Sequence, residues 1–422
     1  MKIKVKDLPY EQVLSLPEEG HLPPKKPGMF FRTLLNTLSL PELKDVHFRL
    51  ETVGMEKLGK DTPALFLMNH SSFLDLKIAS HILYPRPFNI VCTSDGFVGK
   101  RGLMRSLGCI PTRKFMTDMT LVKDMLYAFR KLGSSVLMYP EASYSFDGTA
   151  TALPESVGKC LKLMGVPVVM IRTFGAFARD PLYNGLRLRK VDVSARMEYL
   201  LSPEEIREKS VRELNAILAR QFSFDNFRWQ QENRIPIREP FRAEGLNRVL
   251  YKCPVCGEEG AMAGSGTILR CGHCGSRWEL TEYGSLSGPG EFSHIPDWYR
   301  WERDRVRKEI LDGVYRMDLE VDICMLVDSK SIYRVGSGRL VHSTEGFLLT
   351  GCDGKLTVKQ APSDAYSLYA DYFWYEIGDM ICIGDKNALY YCFPKNTGDF
   401  VAKARLATEE MYKLTRKAPV SL

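Results

Sequence analysis

Between residues 62 and 201 the chain alternates short apolar runs with stretches whose apolar residues recur every three or four positions. The runs ALFLMN, FNIVCT, CIPT, SSVLMYP, VPVVMIRTFG and VDVSARMEYL have the length and content of buried strands. Between them, SSFLDLKIASHIL, GLMRSLG, TLVKDMLYAFRKLG and ESVGKCLKLMG carry helical spacing. Ser71 or Ser72 is placed to cap the first of these helices, and Gly133 to close the third. Such alternation predicts an α/β domain with a largely parallel sheet flanked by helices. Sites in such sheets gather at the carboxyl ends of the strands, and His70 follows one strand while Glu141 follows another.

The pattern changes on either side. Residues 1–27 are rich in Pro and Lys and read as a loosely ordered arm of a first domain spanning 1–245. Met29 to Leu40 form a short amphipathic helix, which either packs on the domain behind it or inserts into the headgroup layer of a membrane. After a helix that begins near residue 203 and an irregular linker, residues 246–285 form a compact four-cysteine ribbon. A charged connecting helix fills 286–314. From 315 to 422, alternating segments punctuated by Gly, Asp and Asn predict a β-rich domain closed by a C-terminal helix. That architecture is similar to the pleckstrin-homology-like superfold.

Composition narrows the setting. Hydrophobic residues make up 45% and charged residues 26% of 422, ordinary values for a globular protein. No window reaches the ~18 consecutive apolar residues of a spanning helix, and the charged N-terminus lacks a signal-peptide core. A cytoplasmic location is therefore expected. The net charge of +7 suits anionic surfaces or substrates without choosing among them. The eleven cysteines cannot all pair, and seven are scattered singly among apolar residues, as expected of buried thiols in a reducing compartment. The other four form Cys253-x2-Cys256 and Cys271-x2-Cys274, a set suited to a structural tetrahedral Zn2+. His273 lies between the last pair as a spectator. The loop between the knuckles carries no basic-aromatic stripe, so nucleic acid is not an expected partner.

The candidate chemistry begins at NHSSFLD, residues 69–75. A histidine can act as a general base, and a carboxylate on its other ring nitrogen would fix the tautomer. A His followed five residues later by an Asp is common by chance, but three further stretches accompany it in order: LGCIPTRK (107–114), MYPEASYS (138–145) and GVPVVMI (165–171). Together they resemble the glycerolipid acyltransferases typified by lysophosphatidic acid acyltransferase. That family carries Asn-His-x4-Asp, Gly-x-Ile-Pro/Phe-x-x-Arg, Phe-Pro-Glu-Gly-Thr-Arg-Ser and Val-Pro-Ile-Val. The resemblance covers roughly the first half of the chain. It implies transfer of a fatty acyl group from acyl-CoA or acyl-carrier protein to the hydroxyl of a lysophospholipid or related lipid. His70 would be the general base oriented by Asp75, while Arg113, Lys114, Glu141 and Ser143 would bind substrate. Backbone N–H groups at the start of the following helix are candidate oxyanion donors. An insoluble acceptor implies peripheral contact with a membrane surface.

The departures concern the phosphate grip. Tyr144 stands where the family has its second arginine, and Lys114 or Arg113 where it has its first. A lysine meets phosphate as a point charge and a tyrosine carries no charge. Either Lys100, Arg101, Arg105, Arg113 and Lys114 compensate as a cluster, or the acceptor is not lysophosphatidic acid. The rival reading is a non-catalytic lipid-binding platform whose ribbon and C-terminal domain recruit protein partners.

Overall fold

The computed structural model describes residues 3–115, 118–384, 387–395 and 398–417. The outermost residues of the expected first and last domains, 1–2 and 418–422, lie outside that set. Nineteen strands build three sheets among the described residues. A short β1 (Val5–Asp7) precedes β2 (Arg49–Val53), β3 (Leu65–Met68), β4 (Phe88–Thr93), β5 (Cys109–Thr112), β6 (Ser135–Met138), β7 (Val168–Phe174) and β8 (Ser194–Leu201). The first large sheet runs in the order β2-β8-β7-β3-β6-β4-β5. All its pairings are parallel except β7 with β8, so the expected largely parallel sheet is mixed, with β8 and β2 reversed at one edge.

Central strands of this sheet are apolar on both faces because both faces are covered. Phe66 and Met68 of β3 join one core with Leu137, Val169 and Ile171. Leu65 and Leu67 join the opposite core with Val136, Met138, Val168 and Met170. Alternate residues therefore serve opposite layers, each side chain contributing roughly 1.5–3 kcal/mol on burial. The surrounding helices start and stop where local chemistry directs. Asp118 accepts from the N–H groups of Thr120 and Leu121 to cap Met119–Arg130. Gly165, at φ 61°, ends Ser156–Met164 in a left-handed cap that a Cβ would disfavour.

In the ribbon, β9 (Met262–Ser265), β10 (Ile268–Cys271), β11 (Arg277–Leu280) and β12 (Leu286–Ser287) form a four-stranded sheet. It packs Trp278 edge-on against Trp298 of the connecting helix, which spans Ile295–Leu311. The last sheet comprises β13 (Arg316–Leu326), β14 (Ile332–Ser343), β15 (Gly346–Gly351), β16 (Leu356–Gln360), β17 (Tyr369–Trp374), β18 (Gly378–Gly384) and β19 (Leu389–Pro394). Its meanders β13 to β16 and β17 to β19 join through β13 and β19, and the helix Phe400–Lys417 closes the chain.

The N-terminal arm is not loosely ordered. β1 pairs in parallel with Ile332–Arg334, the part of β14 that β15 leaves open. Further along, Glu19 accepts from the N–H and hydroxyl of Ser329. Backbone pairing of this kind leaves no apolar periodicity for the sequence pattern to reveal. The helix after the arm spans Met29–Asp45 and packs beside Leu74–Ile82, yet Phe30 and Leu38 remain 71% and 64% exposed.

Candidate functional site

Adjacent parallel strands bring the site together. β3 and β6 run side by side, so His70 and Glu141, just past their carboxyl ends, meet. The His70 N–H donates to Glu141 Oε2 at 2.9 Å, and Glu141 Oε1 accepts from the Thr151 N–H at 2.8 Å. Asn69 ties the same turn to β7, its Oδ1 accepting from the Thr173 N–H at 2.9 Å. Burial pushes the Glu141 carboxyl up to about 7 against the pull of these two donors.

His70 Nδ1 lies 3.1 Å from Asp75 Oδ2, and the same oxygen accepts from the N–H groups of Ser71 at 2.8 Å and Ser72 at 3.1 Å. Asp75 is completely buried, while the His70 side chain keeps 19% exposure. An acceptor carboxylate requires the proton on Nδ1, which leaves Nε2 as the basic nitrogen. Burial lowers the pKa of His70, and Asp75 opposes that by hydrogen bond and charge. Tyr139 and Tyr144 lie against the imidazole at centroid distances of 4.2 and 4.0 Å. Phe73 stacks on the far side of Tyr144.

The backbone donors at the following helix start are all engaged. Those of His70, Ser71 and Ser72 go to Glu141 and Asp75; those of Phe73, Leu74 and Asp75 go to Asp180, Ser72 Oγ and the Ser72 carbonyl. The expected oxyanion donors are therefore not free at this turn.

Of the remaining candidates, Ser143 is buried with its hydroxyl accepting from Arg405 Nη2 at 2.6 Å, a contact from the C-terminal helix. Lys114 Nζ sits 4.0 Å above the Tyr369 ring of β17. Burial lowers its pKa while Asp371 and Asp95 raise it. Its charge also adds, after burial, to the lowering of the His70 pKa. The Arg113 charge works against the burial that raises the pKa values of Cys382 and Tyr391 in the C-terminal sheet. The wider basic cluster is dispersed, since Arg101 donates to the Gly20 carbonyl and pairs with Glu19, and Arg105 donates to the Pro23 carbonyl. Those guanidinium groups fasten the N-terminal arm. Sequence reasoning missed Arg405 and Asp371 altogether, because nothing in their local pattern marks them.

The four cysteines converge as their spacing implies. Cys253 and Cys274 lie 3.8 Å apart sulfur to sulfur, as do Cys256 and Cys271, and all four sulfurs lie within 4.8 Å of one another. A tetrahedron with Zn–S bonds of about 2.3 Å has edges of about 3.8 Å, so the donor set fits zinc. His273 is exposed and outside this group. All eleven cysteines are free of disulfides.

Residues 49–172, which hold the dyad, Arg113, Lys114, Glu141 and Ser143, match the family model described as Acyltransferase, so this stretch is an acyltransferase-family domain. Its particular likeness is to the 1-acyl-sn-glycerol-3-phosphate acyltransferase LPAT1, chloroplastic, of Arabidopsis thaliana, 27% identical over 133 residues. The match takes in 30% of this chain and 36% of that relative, so the chain spans about a third of its length. The crystal structure of the 1-acyl-sn-glycerophosphate (LPA) acyltransferase PlsC from Thermotoga maritima is similar at a TM-score of 0.36 and 15% identity. That similarity covers 45% of this chain and 78% of the other. The ribbon and the C-terminal sheet fall outside the family match.

Proposed function

We propose that this protein transfers a fatty acyl group from a thioester, acyl-CoA or acyl-carrier protein, to the hydroxyl of a lysophospholipid or related lipid. His70 Nε2 takes the hydroxyl proton as the oxygen attacks the thioester carbonyl. Collapse of the tetrahedral adduct breaks the C–S bond, and the imidazolium returns the proton to the departing thiolate. Asp75 holds Nδ1–H and balances the imidazolium charge. The carrying observation is the His70–Asp75 contact, in which one fully buried carboxylate oxygen accepts from three donors. No enzyme nucleophile enters, consistent with buried or half-buried Cys92, Cys109 and Cys160 as packing groups.

Contact with a membrane surface is part of the proposal. Among the described residues no helix is long and apolar enough to cross a membrane. The exposed stripe Phe30, Leu34 and Leu38 on Met29–Asp45 supports peripheral seating at the cytoplasmic face, with exposed Lys25 and Lys26 in the segment before it for anionic headgroups. Cys253, Cys256, Cys271 and Cys274 would hold a structural zinc, which supplies a clip rather than chemistry. The C-terminal domain, pleckstrin-homology-like in element order, would recruit a partner. Division into 1–245, 246–285, 286–314 and 315–422 remains the proposed domain plan.

The test is turnover by purified protein with acyl-CoA or acyl-carrier protein over a panel of lysolipids, against His70→Ala. Product formed by wild type and lost in the variant is expected. A second reading, the lipid-binding platform, draws support from Lys114 lying over the Tyr369 ring, and from Tyr144 covering His70. Lipid binding by both proteins with no product from either would favour it.

A further inference from the structure

We propose that Arg405, in the C-terminal helix, is a positioning residue for His70. Past Tyr139, which stacks on the imidazole at 4.2 Å, the loop after β6 touches His70 three more times: through Glu141 on its N–H, through the Tyr144 ring at 4.0 Å, and through the Ser145 N–H on its carbonyl at 3.3 Å. Between Glu141 and the other two contacts stands Ala142 at φ 55°, a left-handed conformation uncommon for a residue with a Cβ. Such a conformation persists where neighbours hold it from both sides. Glu141 is held by His70 and Thr151. Ser143 and Tyr144 are held by Arg405, which donates from Nη2 to Ser143 Oγ at 2.6 Å and from Nη1 to the Tyr144 carbonyl at 3.1 Å.

Arg405 is itself fixed before it meets the loop. It is 3% exposed, its Nε donates to Glu409 Oε1 at 3.4 Å, and its guanidinium lies 4.4 Å over the Phe146 ring. Glu409 is anchored in turn by Arg303 at 2.7 Å and by the Ser367 hydroxyl at 2.7 Å. A planar fork of donors can meet two adjacent loop acceptors at once, whereas an ammonium on a flexible stem meets one. The guanidinium thus sets where the Tyr144 ring lies, and that ring with Tyr139 confines the imidazole so that Nδ1 faces Asp75. The contact spans 262 residues of sequence, linking the C-terminal domain to the turn that carries the dyad.

The experiment uses the full chain with isotopically labelled histidine and compares Arg405→Met, Arg405→Lys and Arg303→Met. Arg303 is a partly buried guanidinium on the same Glu409 and controls for loss of ionic packing. In wild type the two tyrosine rings against the imidazole should shift the His70 ring protons upfield and give a Tyr144–His70 nuclear Overhauser effect. Arg405→Met is expected to move those protons downfield and erase that effect, Arg405→Lys to restore part of both, and Arg303→Met, which reaches Arg405 only through Glu409, to change both less. If Arg405→Met does not fold, Ser143→Ala removes the contact from the loop side and should shift the same signals less. A kinetic arm rests on the proposed acyl transfer: kcat in Arg405→Met falls about 10- to 100-fold, as expected when a reacting group is displaced by about 1 Å, with KM nearly constant. Unchanged His70 signals in folded Arg405→Met, or equal changes in Arg303→Met, overturn the proposal. An inactive wild type with the expected spectra overturns only the acyl-transfer reading.

Discussion

Asp75→Asn isolates the charge of the dyad from its shape. In wild type Asp75 Oδ2 accepts from His70, Ser71 and Ser72, while Oδ1 has no hydrogen-bond partner. To keep two backbone donors satisfied, the amide oxygen of asparagine must take the place of Oδ2. Its NH2 then falls at the partnerless position, leaving a buried donor unsatisfied at a cost of about 1–3 kcal/mol. His70 keeps its acceptor and its tautomer but loses the counter-charge to the imidazolium. At 3.1 Å that attraction is about 5 kcal/mol at an effective dielectric of about 20, and about 1.3 kcal/mol in bulk water. The rate of acyl transfer should therefore fall between about 10- and 10⁴-fold, with a modest drop in melting temperature. The assay is steady-state thioester cleavage coupled to lipid product, beside a thermal melt and a His70→Ala control. Asp75→Asn within about threefold of wild type, while His70→Ala is dead, would refute the electrostatic argument.

Three further outcomes follow from other parts of the molecule. Metal analysis should find one zinc per chain; Cys253→Ser should abolish it and red-shift the fluorescence of buried Trp278, while His273→Ala should retain it. Burial raises the carboxyls of Glu141, Asp180 and Asp371 each to about 7, so across roughly pH 4 to 7 these three groups hold more protons in the folded chain than in the unfolded one. These groups thus favour folding most at low pH, and that contribution is lost as pH rises through about 7. His70, lowered by burial, acts in the opposite sense, so the measurement is differential: the fall in melting temperature from pH 5 to 8 should flatten in Asp371→Asn, and an identical slope would contradict the assignment. Finally, Phe30→Glu with Leu38→Glu should reduce co-sedimentation with anionic liposomes without lowering the melting temperature, because both side chains are already exposed.

What the sequence made legible follows its physics. β3, β4, β6 and β7 could be read because the central strands are buried on both faces, which concentrates apolar residues. β2 could not, since its residues RLETV lie at an exposed edge and carry no such run. The reversal of β8 was equally invisible, because a strand's own residues do not state its direction. His70 and Asp75 were found because NHSSFLD is a short local motif that three further stretches accompany in order. Arg405 and Ser143 meet across 262 positions, and no local spacing encodes such a meeting. The basic cluster at Lys100 to Lys114 was recognised as cationic, but its employment depended on where the N-terminal arm ran.

That arm also bears on how the chain comes off the ribosome. Val5 to Asp7 find their partners at Ile332 to Arg334, so β1 has to wait for a strand made more than 300 residues later. At about 5–20 residues per second the delay is roughly 16 to 65 s. During that interval β1 lacks the strand that pairs with it. The last sheet is then completed by a segment made long before its other strands, so its edge is closed across the whole length of the intervening domains.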